Sequence, residues 1–181
     1  LGTMADAIEP GSIENRFGNR KPPTAAYIGY SPTLHYDSAK QLWVGGMFWD
    51  GRANGQILGD PVAEQAQGPF LNPLEMAMPN ARLVCVRVAK SDYASLFEAV
   101  WGIGTAKESF VNQNVDLTYE RIGRSIAAYE RSSEGSPYSS KFDAFWDAAT
   151  AAGKNVSLIY MPGSGAGGGM AVVVERRARP R

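Results

Sequence analysis

Cysteine and histidine are nearly absent from this chain: of 181 residues, one is cysteine and one is histidine. The single cysteine, Cys85, excludes an internal disulfide. It also excludes a C-x-x-C-H haem-attachment site, which needs two cysteines and a histidine close together. The lone histidine, His35, stands far from Cys85 in sequence and reads as a side chain satisfying local hydrogen bonds before it reads as a metal ligand. Net charge is absent too, with 18 basic against 18 acidic residues, so nothing points to nucleic acid or a membrane surface as partner. No apolar run reaches the ~18 residues of a membrane span. No charged-then-apolar leader opens the chain, so location is not written in it. What is present is a 44% hydrophobic composition over a length that suits one domain or two very small ones.

Residues up to about Ser31 are rich in Gly, Pro and Asn and read as irregular. Residues 27–46 alternate aromatics with turn formers, which suits an extended loop or a short hairpin. Asp60-Pro61 has the chemistry of an N-cap and first helical residue, and the helix it opens should stop at Gly68-Pro69. Residues 80–90 carry strand-like alternation at Val84, Val86 and Val88, but Pro79-Asn80 starts a helix, and a helix is expected. Three further helices follow. Ser91 caps one with Tyr93, Leu96, Phe97, Val100 and Trp101 on one face, ended by Gly102. Asp116 or Thr118 opens the next, with Tyr119, Ile122, Gly123, Ile126 and Ala127 at helical spacing. Pro137 and Ser139 precede the last, with Phe142, Phe145, Trp146 and Ala149, ended by Gly153. The expected class is mainly α, with long loops joining the helices.

The composition changes after Gly153. Residues 163–169 read GSGAGGG, three valines follow, and the end is Arg-rich. The glycine run contains a loose G-x-G-x-x-G. A dinucleotide loop should open a helix, however, and here Met, Ala and Val172-Val173-Val174 come next. Residues 1–155 are therefore expected to form the domain and 156–181 a flexible Gly-rich, basic tail.

Residues 48–76 hold the chemistry. They read FWDGRA and, after a spacer, EQAQGPFLNPLEM. This stretch is too polar and too rich in turns to be plain core. Glu75, framed by Pro73 and Met76, is either a general acid/base or an ordinary acid in a helix's first turn. Gln65 either hydrogen-bonds a bound oxygen species or is an exposed helix glutamine. Pro69 either stiffens a loop that approaches a flat ligand or simply makes a turn. Trp49 either relays an electron or fills core. Asp50 and Arg52 either pair with each other, or Arg52 meets the carboxylate of a cofactor.

The chain resembles the bacterial di-haem cytochrome c peroxidase and MauG family over residues 20–145. The resemblance is carried, in the family's order, by RKPPTAAYIGYSPTLHYD, GGMFWDGRA, EQAQGPFLNPLEM, DYASLFEAVWG, YERIGRSIAAYERS and SKFDAF. It implies that Gln65, Pro69 and Glu75 belong to the distal pocket of the N-terminal, peroxide-binding haem, with Glu75 as acid/base. It implies Trp49 between two haems. It further implies two cytochrome c-like helical domains, haem c as cofactor, a calcium ion between the domains and a periplasmic location. Hydrogen peroxide would be the substrate and a small cytochrome or copper protein the electron donor; the family also admits a homodimer.

The pattern departs from the family in three places. Neither C-x-x-C-H is present, residues 54–60 look like an insertion, and the sequence from about Val156 does not match. Two expectations follow. The chain is a fragment or truncated form of a di-haem peroxidase or MauG-like oxidase, or it is a haem-less scaffold or binding module without peroxidase activity.

Overall fold

Asp60 opens the first helix as its chemistry suggests. In the computed structural model its carboxylate accepts from the backbone N–H of Val62 at 3.0 Å and of Ala63 at 3.4 Å, and Pro61 begins α1 (Pro61–Leu71). These bonds satisfy donors that a first turn otherwise leaves orphaned. The structure describes residues 9–161 and 169–176.

Helix α1 runs past the Gly68-Pro69 pair that was expected to stop it. Pro69 lacks the one N–H that would reach back to the Gln65 carbonyl, and only two residues follow it, so the loss is small. Gly68 serves packing rather than a turn: a Cβ there would meet the Phe48 ring at 2.8 Å. Residues 9–31 are irregular, as expected, apart from a Pro10–Phe17 bridge. The short hairpin also forms, from β1 (His35–Asp37) and β2 (Leu42–Val44), with Tyr36 opposite Trp43.

Helix α2 (Ala81–Ala89) is capped by Asn80, whose side chain accepts from Leu83 N at 3.0 Å, and it buries Val84, Cys85 and Val86. Helix α3 (Ala94–Trp101) departs from expectation in two ways. Ser91 donates to the Val88 carbonyl at 2.7 Å instead of capping α3. Of the proposed apolar face, Phe97 is buried, while Tyr93, Leu96 and Val100 are exposed. A six-residue helix, α4 (Glu108–Gln113), was not foreseen; it is too short for a periodic signal and buries only Val111. Helix α5 (Val115–Glu130) starts just before the two proposed openers and buries Thr118, Ile122, Gly123 and Ala127.

Helix α5 is the axis of the first unit, packing against both α1 and α2. Gly123 lets α1 come close, since a Cβ there would lie 2.7 Å from the Ala63 carbonyl. Tyr119 OH donates to the Gln67 carbonyl at 2.6 Å, and Gln67 Nε2 donates back to the Tyr119 carbonyl at 3.0 Å. The apparent insertion at residues 54–60 is tied down as well. Glu64 accepts from the N–H groups of Gly55, Ile57 and Leu58, each at 2.8 Å. Two apolar clusters result, one around Val62, Ala63 and Ala127, the other around Cys85, Phe97 and Ile122.

Contacts among the described residues divide the chain after Ser136. The second unit begins with α6 (Lys141–Ala151), opened by a capping box between Ser140 and Asp143 rather than by Ser139. It continues into a hairpin, β3 (Lys154–Met161) paired antiparallel with β4 (Gly169–Arg176). Part of the stretch read as a flexible tail is thus paired strand, because three consecutive β-branched valines favour a pleated ladder. Residues 162–168, which hold all of the glycine run except Gly169, and the basic end at 177–181 lie outside the described residues. The class is mainly α, as expected. Among the described residues no helix is long and apolar enough to cross a membrane.

Candidate active site

Helix α1 sets the spacing of the site. Gln65, Pro69 and Asn72 fall at i, i+4 and i+7, which puts them on one side of the helix and its exit. The adjoining face, with Val62, Ala63 and Ala66, is buried. Three tracts converge on the outward side: the 45–53 loop, the 72–76 turn and the N-terminal segment. Between them lies a cavity of about 820 Å³ whose lining includes Trp49, Arg52, Gln65, Pro69, Asn72 and Glu75. That volume is in the range of small-molecule and cofactor sites. Trp49, Arg52, Gln65, Pro69 and Glu75 thus line one cavity, and Asp50 is not among its lining residues.

The 45–53 loop is pinned by Met47 N to Ala53 O at 2.8 Å and by Gly46 N to Pro32 O at 2.9 Å. Phe48 sits in the left-handed region at φ 62°, which is costly for a bulky side chain. The tip of its ring lies against Gly68, and the Arg52 guanidinium stacks 3.7 Å from the ring centroid. Arg52 also reaches both oxygens of Asp50, at 2.8 and 2.9 Å, and Arg20 joins them at 3.1 Å. Desolvation opposes the ionised form of Asp50, but hydrogen bonds from Arg52 and Arg20 outweigh it and hold the carboxyl below the usual range. The Asp50–Arg52 pair is thus formed, and Arg52 still faces the cavity. Trp49 is not core: it is 94% exposed, at the cavity's edge.

Glu75 is not a first-turn acid either. It lies in the turn between α1 and α2, half-buried. Its Oε1 accepts from Asn72 Nδ2 at 2.6 Å, and Oε2 has no hydrogen-bond partner among the described residues. The Gln65 amide likewise makes no hydrogen bond to another described residue, and the side chain is half-buried rather than fully exposed. The arrangement therefore offers a carboxylate, an amide and an indole at one apolar-walled space with cations at its edge.

A haem c would find part of its site here. Met47, Phe48 and Trp49 give a flat apolar wall, and Arg20 and Arg52 give cations for acidic edges. Attachment is another matter. Cys85 is fully buried in the α2 cluster, where burial pushes its thiol up to about 11. His35 lies on β1, its Nδ1 2.8 Å from the Thr33 carbonyl, outside the cavity lining. No group of three or more His, Cys, Asp or Glu side chains that could hold a metal ion occurs among the described residues. The residues present suit the open face of a haem and supply neither its thioether links nor an axial imidazole.

Sequence reasoning passed over Asn72 and the N-terminal segment. An Asn-Pro pair at a helix end is a turn signal, and Asn72-Pro73 carried it. The contacts of residues 11–16 to the Glu75 turn are long-range and leave no local signature.

The di-haem cytochrome c peroxidase family signature matches residues 2–151. The methylamine utilization protein MauG of Paracoccus denitrificans is 36% identical over 143 residues, covering 78% of this chain and 34% of that protein. The crystal structure of the diheme peroxidase BthA from Burkholderia thailandensis superposes with a TM-score of 0.62 at 27% identity, covering 77% of this chain and 30% of that one. A single-residue variant of the same peroxidase gives 0.62 at 26% identity. The chain thus spans about a third of the length of these relatives.

Proposed function

Since the chain belongs to the di-haem cytochrome c peroxidase family, we propose that it forms the peroxide-handling side of an enzyme that reduces hydrogen peroxide to water. The convergence of Gln65, Pro69 and Glu75 on one cavity, with Trp49 and Arg52 at the same space, carries this reading. A haem c held beside Met47, Phe48 and Trp49, with Arg20 and Arg52 at its acidic edges, would supply the redox chemistry. On this reading the groups that attach it come from outside these 181 residues, and the chain is a portion of the working enzyme.

The chain's own residues have the following parts. Glu75 takes a proton from one peroxide oxygen and returns it to the other, so that the O–O bond breaks with water as the leaving group. Two electrons and two further protons complete the reduction to a second water. Gln65, with an uncommitted amide, hydrogen-bonds the bound oxygen species. Pro69 keeps that stretch of α1 free of an N–H and stiff beside the ligand. Arg52, already flattened on Phe48, meets an acidic edge of the cofactor. Trp49, exposed and easily oxidised, passes the electron between two redox centres. A small cytochrome or copper protein is the donor. The same reading carries a periplasmic location, a calcium ion between two domains and a homodimer.

A second reading has its own observation: the sole thiol is buried and the sole imidazole lies off the cavity. On that reading the chain is a haem-less scaffold. Haem absorbance near the Soret band, together with peroxide consumption by the natural full-length protein, separates the two. Soret absorbance with donor-dependent turnover supports the peroxidase. A colourless protein without turnover assigns the scaffold.

A further inference from the structure

We infer that Asn72 is a positioning residue for Glu75, which it holds so that Oε2 alone faces the reacting proton. This rests on the acid/base reading of Glu75 given above. The 2.6 Å bond from Asn72 Nδ2 commits Oε1 as an acceptor. An amide N–H can only donate, so the proton of a neutral Glu75 must sit on Oε2. Oε2 has no partner among the described residues, and both Glu75 and Asn72 line the cavity.

Asn72 is itself oriented. Its Oδ1 accepts from Leu74 N at 2.9 Å, which fixes the amide so that nitrogen, not oxygen, meets the carboxylate. Its backbone carbonyl accepts from Glu75 N at 3.1 Å and Ala77 N at 2.9 Å. The turn is clamped from outside as well. Ser12 N donates to the Glu75 carbonyl at 2.7 Å, and Arg16 Nη1 to the Pro73 carbonyl at 3.0 Å. Gly11 fits only without a side chain, since a Cβ would collide with the Leu74 carbonyl. The carboxylate is thus fixed at its backbone by the turn and at its tip by one amide.

The substitution Asn72→Asp separates this role from turn formation. It keeps the acceptor for Leu74 N, removes the donor and sets a like charge against Glu75. Asn72→Ala removes both. In the haem-free chain, the Glu75 carboxyl carbon resonance at neutral pH should differ from wild type in both Asn72→Asp and Asn72→Ala, because the Nδ2 donor is gone. In the haem-loaded protein, Asn72→Asp should lower kcat by roughly 10- to 100-fold, the cost of misplacing a reacting group. KM for peroxide should be unchanged, and the pH–rate profile should move to higher pH. If Asn72 only builds the turn, Asn72→Asp, which keeps the acceptor for Leu74 N, turns over as wild type and the inference is overturned. Should Asn72→Asp not fold, a Glu75 carboxyl resonance in Asn72→Ala identical to wild type overturns it equally. Glu75→Gln run in parallel isolates the premise: retained turnover sinks the acid/base reading, whereas lost turnover beside a normal Asn72→Asp sinks only the positioning role.

Discussion

Trp49 shows how far a single residue's meaning depends on exposure. An indole in an aromatic-rich stretch reads as core, yet this one is 94% exposed. Trp49→Phe should therefore leave stability within about 0.5 kcal/mol, as surface substitutions do. If the indole is the relay, electron delivery slows while peroxide binding holds. Stopped-flow reduction of the peroxide-oxidised protein, set beside a denaturant melt, reads both; unchanged transfer kinetics would retire the relay. Gly68 is the opposite case, a residue read as a turn that serves packing. A Cβ at 2.8 Å from the Phe48 ring must push that ring and its stacked Arg52 aside. Gly68→Ala should cost about 1–3 kcal/mol by overpacking. A melt as stable as wild type would show that the loop can yield.

At the scale of elements, local chemistry was legible and long-range chemistry was not. The Asp60 cap, the Asn80 cap and the Gly102 stop were readable because each acts within a turn of its own position. The continuation of α1 through Pro69 was not, because packing on α5 and on Phe48 holds it. The outward turn of Tyr93, Leu96 and Val100 also escaped, since helical spacing states that residues share a face, not what that face meets.

Asp60 caps α1 and also binds Arg131 through two bonds of 2.8 Å. Asp60→Ala should cost about 1–2 kcal/mol through the cap alone, and Asp60→Asn should cost less. Equal losses would mean that the ion pair, not the cap, dominates. Hydrogen bonding from Arg131, ahead of the opposing desolvation, holds the Asp60 carboxyl below the usual range. Its contribution is therefore present above the unfolded carboxylate's titration and is lost as pH falls through the lower folded value.

Glu130 at the end of α5 works the other way. It is nine-tenths buried with Oε2 unpartnered, and burial raises its carboxyl. Arg131 opposes that rise and Asp60 adds to it. The folded state thus holds this proton more tightly, and stability falls as pH rises from the unfolded value through the raised one. Melting temperatures of Glu130→Gln should gain on wild type between mildly acidic and neutral pH; a constant difference across that range contradicts this.

Across the whole molecule, the sequence pointed to candidate residues but not to how they are gathered. The family resemblance carried by FWDGRA and EQAQGPFLNPLEM pointed to Trp49, Gln65, Pro69 and Glu75, and all four line one cavity together with Arg52. Ser12 and Arg16 stayed hidden because their roles are made by contacts between distant segments, while Asn72 acts within its own turn and was legible only as the Asn-Pro turn signal. On the proposed function, this cavity handles peroxide through Glu75. The most direct test of that reading is turnover of the haem-loaded protein carrying Glu75→Gln, with haem content measured on the same sample. An amide cannot shuttle the proton, so turnover should fall on the order of 10²-fold or more with haem content unchanged. Near-normal turnover at normal haem content would contradict the account.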